Sequence, residues 1–257
     1  MGGFTVVEMI TVIALLAILS VGTTRFLTDA SAGYAATERC ATLVDNAQRS
    51  LLRLSREVQR ALPASVRVSG DGRCLEMIEI LAASAYVQAP VGSAGGGVHL
   101  LPLDNYDTLD GVRVAIQPDS GLYGLVSPGS ISPPTDDVQI LADNQHYLPF
   151  TSSHAFSDNS AQRRAYLVRD PISFCFDADA LWQYQGYGYT TTQPGVTSLP
   201  TTLPNRTLQA EGLGVASSFQ AAAASLTRNG QIQVVLDLQM GTDQLTLSRV
   251  ISVPNLP

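Results

Sequence analysis

The residues of this sequence best suited to catalysis are its histidines. A histidine can act as general base toward a serine when an aspartate orients its ring, whatever the order of the three in the chain. The sequence offers His99, His146 and His154, with Asp143, Ser152 and Ser153 nearby. No GxSxG elbow, HExxH pair or phosphate-binding P-loop accompanies them. We therefore expect surface or structural histidines, no catalytic residues, and a protein that is not an enzyme.

Acidic turns are the second candidate for chemistry, because calcium takes oxygen ligands from carboxylates. The sequence has two such places, Asp136-Asp137 and Asp177-Ala-Asp179. Solvated carboxylates are common in turns, and we favour that interpretation over a calcium site. The three cysteines also lack the short paired spacing of a zinc site. We therefore expect neither a metal nor a cofactor.

The cysteines are better explained by a disulfide and one free thiol in a domain outside the cytoplasm. Cys74 and Cys175 each lie at the edge of a predicted strand, whereas Cys40 lies on a predicted helix. We expect Cys74 to pair with Cys175. A bond from Cys40 to either of them is the alternative.

Glu8 is the only ionisable side chain in the apolar run from Phe4 to Val21. Such a run forms a helix of roughly 27 Å, close to the thickness of a bilayer core. A carboxylate at mid-membrane costs about 2.5–3.5 kcal/mol. Glu8 is therefore expected to have a binding partner or to reach the membrane interface.

The residues around Glu8, Gly3-Phe4-Thr5-Val6-Val7-Glu8, resemble the processing site of type IV pilins and type II secretion pseudopilins. The resemblance implies that a prepilin peptidase and methyltransferase cleaves between Gly3 and Phe4 and then N-methylates Phe4. It also implies that Glu8 neutralises the N-terminal amine of a neighbouring subunit in a low dielectric, which sets the axial register of a filament. Two alternatives are a membrane anchor that never enters a filament and a secretory signal peptide cut after Ala32.

The element that must position Glu8 is one long helix, predicted over residues 4–62 behind a leader remnant, residues 1–3. Residues 4–26 are the predicted transmembrane segment, and residues 27–62 its amphipathic continuation. In the continuation, apolar residues recur at steps of three and four and form one stripe: Leu43, Ala47, Leu51, Leu54, Val58 and Ala61. Pro63 ends the helix, because the residue before a proline is biased away from helical geometry.

After Pro63 the apolar period changes to two, which predicts a β-rich periplasmic domain over residues 63–257. Strands are predicted at 66–68, 74–81, 111–116, 123–126, 165–169, 172–176, 181–184, 232–240 and 245–253. The last two strands are predicted to form a hairpin around residues 241–243, and 172–176 is predicted to pair with 181–184. Segments rich in glycine, proline or threonine are predicted as loops: 90–97, 127–137 and 186–214. The predicted fold class is α+β, a long N-terminal helix packed on an antiparallel β-sheet domain.

Residues 51–67 resemble the helix-to-strand passage of minor pilins of the mannose-sensitive haemagglutinin (MSHA) pilus. The resemblance implies a minor pilin or pseudopilin, a structural subunit that primes or caps assembly of a type IV pilus. One alternative is a J-type minor pseudopilin of a type II secretion system. Another is a tip-located adhesin or binding module that uses the loops at 90–160 and 186–214.

The same resemblance implies a location and a set of partners. The location is the bacterial inner membrane, crossed once, with the C-terminal domain in the periplasm and later in a pilus or pseudopilus. The partners are other major and minor pilins or pseudopilins, the prepilin peptidase, the inner-membrane assembly platform and membrane lipid. A net charge of −7 offers no electrostatic attraction for nucleic acid, so none is expected as a partner.

Overall fold

The computed structural model describes residues 5–103, 111–222, 229–240 and 243–253 of the 257-residue chain. A long N-terminal helix, α1 (Val6–Gln59), precedes a larger set of antiparallel strands. The predicted fold class, α+β with a long N-terminal helix, is thereby confirmed. The chain divides into two compact units, residues 1–46 and residues 47–257.

The first unit contains the N-terminal part of α1. Thr5 caps the helix, because its hydroxyl and its carbonyl both accept from the Glu8 amide, at 3.3 and 3.1 Å. The helix continues through Gly22 and Gly33. Hydroxyl side chains along this part donate to carbonyls three or four residues earlier in the same helix. These hydroxyl groups are thus satisfied within the helix itself.

The second unit contains the last turns of α1, and here the helix buries one face. The predicted stripe is buried from Ala47 onward, and Leu54 is 1 % exposed. The helix ends at Gln59, three residues before the predicted end. The backbone of residues 60–62 instead bonds to the sheet, with Leu62 donating to Ile78 (2.7 Å) and Ile80 donating to Arg60 (2.9 Å). Strand pairing therefore ends the helix before Pro63 does.

In chain order the described strands are β1 (Arg67–Val68), β2 (Cys74–Met77), β3 (Ile80–Gln88), β4 (Gly95–Leu100), β5 (Arg113–Ala115), β6 (Ile131–Pro134), β7 (Gln139–Ile140), β8 (His146–His154), β9 (Arg164–Val168), β10 (Ile172–Asp177), β11 (Ala180–Tyr184), β12 (Arg206–Glu211), β13 (Ser218–Ala222), β14 (Gln231–Met240) and β15 (Asp243–Ser252). Across the described residues they form three sheets, ordered β1-β2-β10-β11-β12, β13-β14-β15 and β6-β5-β9-β3-β4-β8-β7. All ladders between these strands are antiparallel.

Both predicted hairpins are confirmed, β10 with β11 and β14 with β15. Residues 241–242 of the predicted terminal turn lie outside the described residues. The predicted strand 74–81 is wrong as a single element, since β2 ends at Met77 and β3 starts at Ile80 and pairs in a different sheet. The predicted strand at 123–126 is also wrong, because Leu122–Gly124 forms a 3-10 helix.

The three predicted loops each contain strand residues. β6 and β12 are edge strands, where a missing backbone donor is tolerated, and this explains how β6 contains Pro133 and Pro134. In β4, Gly97 lies so close to β8 that a Cβ atom there would be 2.7 Å from the Tyr147 ring. Glycine in this strand therefore allows close approach of its neighbour and does not mark a loop.

Candidate functional site

Glu8 lies in the first turn of α1, where a carboxylate is favoured by the helix dipole. It is exposed, and so is every described side chain from Thr5 to Arg39. Its neighbours along the helix are large apolar side chains, such as Met9 at 60 % exposure and Ile13 at 61 %. An exposed carboxylate on an apolar helix can bind a cation from another chain, and a low dielectric strengthens that attraction.

Gly3 and Phe4, the predicted cleavage and methylation residues, lie outside the described residues. Thr5, the helix cap, is the first described residue after them. Glu8 is therefore one helical turn beyond the cap. The helix places this carboxylate in its first turn.

The disulfide of the second unit joins Cys74 on β2 to Cys175 on β10. The two residues are directly opposite in the antiparallel register, and their Cα atoms are 4.2 Å apart. Both are fully buried, next to Tyr184 and Leu199. Cys40 is a free cysteine on α1. The bond crosses between adjacent strands and ties the start of the sheet to its centre.

The three histidines considered for catalysis contact backbone groups or an aromatic ring. His146 and His154 lie at the two ends of β8 and are 3 % and 2 % exposed. The Nδ1 atom of His146 accepts from the Leu103 amide at 3.2 Å. His154 Nε2 lies 3.3 Å from the Gly129 carbonyl oxygen, and burial lowers the pKa of this histidine. His99 contacts the Tyr147 ring, with centroids 4.8 Å apart.

The other members of the hypothetical triad lie at the surface. Ser152 and Ser153 are exposed on β8, and Asp143 accepts from the backbone and side chain of Gln145. The acidic turns differ from one another. Asp136 and Asp137 are both exposed, whereas Asp177 is half-buried and accepts from Arg206 at 2.8 Å.

Within the part of the chain that the structure describes, no group of three or more histidine, cysteine or acidic residues could hold a metal ion. The absence of catalytic and metal sites in the whole protein stays a prediction.

A buried ionic network that no sequence motif predicted is centred on β1 and β2. Glu76 is fully buried and forms an ion pair with Arg67 across these strands. The Tyr187 hydroxyl donates to Glu76 Oε1 at 3.0 Å and lies 2.7 Å from the Ser173 hydroxyl. A buried charge is stable only when it is paired and hydrogen-bonded, as it is here. The signal in the sequence was a carboxylate inside an apolar strand, Cys74-Leu75-Glu76-Met77.

Arg67 also fixes residues 190–193, which we call the threonine segment. Its guanidinium donates to the carbonyls of Thr190 and Thr191, both at 2.8 Å. The same group stacks on the Tyr123 ring, 3.6 Å from the centroid. One arginine thus neutralises the buried carboxylate and holds a surface segment in place.

The structure therefore combines a long apolar N-terminal helix with an antiparallel β-sheet unit, which is compatible with a pilin-like fold. By length and composition, α1 is also able to span a membrane, which is consistent with single-pass anchoring. No protein-family model matches this sequence, and no curated protein or solved structure matches it at a significant level.

Proposed function

We propose that this protein is a minor pilin or pseudopilin, a structural subunit that primes or caps a filament of the type IV pilus class, most similar to the MSHA type. In this proposal α1 anchors the chain in the bacterial inner membrane with the second unit in the periplasm. The chain is cleaved after Gly3, methylated at Phe4, and then joins the filament through its helix. Its partners are other pilins, the prepilin peptidase, the assembly platform and lipid.

The observation that carries this proposal is the exposed apolar surface of α1 up to Val21, which is interrupted by one carboxylate, that of Glu8. Monomeric soluble proteins rarely expose apolar patches larger than a few hundred Å². Here side chains on all faces of the helix are exposed, including Val6 at 75 % and Ile18 at 70 %. Such a helix needs an apolar environment from outside its own unit, which lipid supplies before assembly and neighbouring helices supply in a filament.

Glu8 gives that helix a specific register. A carboxylate in an apolar environment is costly unless a cation neutralises it. In the proposed filament the cation is the methylated N-terminal amine of the adjacent subunit. Because only one axial offset brings the two charges together, the pair selects the correct stacking of subunits.

The disulfide supports the proposed compartment. Disulfides persist in oxidising environments such as the periplasm and are rare in reducing ones. Cys74 and Cys175 are bonded inside the second unit. The second unit is therefore suited to the periplasmic side of the membrane.

The mature N-terminus is the most direct test. Mass spectrometry of the chain from its native host should find a peptide that begins at Phe4 and carries one added methyl group. A mature chain that begins after Ala32 would instead identify a secretory signal peptide, and an unprocessed chain would contradict the pilin pathway.

The assembly role of Glu8 is tested by Glu8→Ala. Loss of the pair should lower the amount of the protein in sheared filaments by roughly tenfold or more, because removing one partner of a buried ion pair costs several kcal/mol. Glu38→Ala is the matched control, since Glu38 is an exposed carboxylate on the same helix. Normal incorporation of the Glu8→Ala variant would contradict the assembly role while leaving membrane anchoring intact.

A further inference from the structure

The second unit contains a cleft between residues 123–125 and the segment 187–198. Its volume is about 640 Å³, within the roughly 300–1,000 Å³ of typical ligand sites. None of the described residues named in the proposed assembly role lines this cleft. Its described lining consists of Tyr123, Gly124, Leu125, Tyr187, Tyr189, the threonine segment, Pro194, Gly195 and Ser198.

The lining is uncharged. None of the described lining residues is an aspartate, glutamate, lysine, arginine or histidine. The tyrosines also stay neutral, because burial, followed by the charge of Glu76, raises the pKa of Tyr187 and Tyr123 far above the usual tyrosine value. Arg67 lies behind the threonine segment, where Glu76 and two carbonyls occupy its donors. The cleft therefore disfavours charged ligands, which would lose water without gaining a counter-charge.

The tyrosine rings are held in fixed positions. The Tyr123 hydroxyl donates to the Ser65 carbonyl at 2.6 Å, and the Tyr189 hydroxyl donates to the Arg169 carbonyl at 2.9 Å. Tyr187 is held by Glu76 and Ser173. Since all three hydroxyls are bonded within the protein, these side chains offer the cleft ring surface, mainly from the half-buried Tyr187 and Tyr189, because Tyr123 is only 6 % exposed and Arg67 stacks on its ring. This surface is rigid before any ligand arrives, which lowers the entropic cost of binding.

The polar side chains of the cleft are hydroxyls and the amide of Gln193, whose Nε2 donates to the Arg67 and Cys74 carbonyls at 3.4 and 3.2 Å. Thr191, Thr192 and Ser198 are exposed at its edge. Thr190 Oγ1 is buried and has no hydrogen-bond partner among the described residues. A hydroxyl in that state is costly unless a bound molecule supplies a partner. Rigid tyrosine surface combined with small hydroxyl side chains is also the composition of many antibody combining sites.

We propose that this cleft binds a neutral carbohydrate. The C–H face of a sugar ring would lie against the tyrosine rings, and its hydroxyls would exchange hydrogen bonds with the threonine and serine hydroxyls. Proline-rich peptides also bind aromatic clefts. They are less suited to this one, because the tyrosine hydroxyls that would donate to peptide carbonyls are already bonded.

The test uses the full-length chain in a detergent without a sugar headgroup, such as lauryldimethylamine oxide. Short neutral oligosaccharides of glucose, galactose and N-acetylglucosamine are titrated by calorimetry, with an oligogalacturonate and an oligoproline for comparison. We expect at least one neutral oligosaccharide to bind more tightly than either comparison ligand. Failure of every neutral oligosaccharide to bind, or tighter binding of a comparison ligand, would overturn the proposal.

Variants locate the binding in this cleft. Gly195→Trp should weaken the affinity by roughly tenfold or more. A Cβ at Gly195 meets no atom within 4 Å, so the new ring has space to enter the cleft. Gly70→Trp is the matched control, because Gly70 is equally open but does not line the cleft. Equal affinities for both variants would place the binding elsewhere.

Thr190→Val keeps the shape of the side chain and removes only the unpaired hydroxyl. The variant should bind roughly threefold more weakly and unfold at an unchanged or higher temperature. Unchanged affinity would remove Thr190 from the proposed site. Because the Glu8→Ala variant should bind the oligosaccharide normally, failure of this inference and failure of the assembly proposal are distinguishable.

Discussion

The two units of the chain use the same helix in opposite ways. Leu16 in the first unit is 59 % exposed, whereas Leu54 in the second is 1 % exposed. Both are leucines within one continuous helix, so helix propensity does not separate them. The difference is that the second unit supplies a sheet to cover its helical face and the first unit supplies nothing comparable. Burial of a helix is thus decided by the partner it meets.

Polar side chains show the same contrast. In the first unit, Thr23 and Thr24 bond to carbonyls of their own helix. In the second, Ser50 donates to the Gln209 carbonyl at 2.7 Å, and Ser65 accepts from the Ile78 amide at 3.1 Å. The second unit therefore depends on contacts between distant parts of the chain. The side-chain bonds of Thr23 and Thr24 need only the helix itself.

The disulfide gives the largest expected difference between the units. Replacing Cys74 and Cys175 by alanine opens a cross-link between residues 101 apart. The free energy of unfolding of the second unit should fall by about 4–5 kcal/mol in the chain-entropy model. Urea unfolding followed by the fluorescence of Trp182, the sole tryptophan, measures the loss. Cys40→Ser should leave the urea unfolding curve unchanged. An equal loss of unfolding free energy in this variant would contradict the proposed difference between the two units.

Breaking the buried network of Arg67 and Glu76 should give the second-largest loss of unfolding free energy. Arg67→Ala leaves the fully buried Glu76 without its cation and should cost about 3–5 kcal/mol of unfolding free energy. The double variant Arg67→Ala, Glu76→Gln should recover part of that loss, since no buried charge remains. Arg53→Ala, an exposed arginine on α1, should change little. Equal stabilities of the single and double variants would show that the loss comes from packing.

The two leucines test the comparison within one helix. Leu54→Ala should lower the unfolding free energy of the second unit by about 2–5 kcal/mol, since it leaves a cavity in a closed core. Leu16→Ala should leave the same transition unchanged. Its effect is expected only in membrane retention or filament incorporation. A lower unfolding free energy of the second unit in the Leu16→Ala variant would mean that Leu16 contributes to its core.

The smallest expected effect is a pH dependence. Burial lowers the folded pKa of His154 below the ordinary value of about 6.5. Below pH 6.5 the unfolded chain binds a proton that the native state does not, so His154 lowers stability as the pH falls toward its native pKa. The slope for one proton is at most about 1.4 kcal/mol per pH unit. Unfolding curves should show a shallower decline for His154→Gln than for the natural chain, and equal slopes would contradict this.

Much of the fold follows from local patterns in the sequence. A continuous apolar run with one carboxylate indicates the first part of α1, and steps of three and four indicate the face that is buried from Ala47 onward. Strict alternation indicates β14 and β15, and a short acidic turn indicates the hairpin of β10 and β11. Each of these elements is predicted by residues that belong to it or lie a few positions away in the sequence.

Contacts between distant residues decided the rest. Pairing with residues 78–80 ended α1 at Gln59, and an edge position allowed a strand to contain Pro133 and Pro134. Glu76 has two partners: Arg67 on the neighbouring strand β1 and Tyr187 in the segment after β11. Because both are distant in sequence, the carboxylate alone could not reveal the network. The sequence by itself determined a long apolar helix with Glu8 in its first turn and a β-rich remainder. Only the tertiary structure decided that burial of the predicted stripe begins at Ala47 and not at Leu43, because burial depends on a sheet whose strands are brought together from the whole length of the second unit.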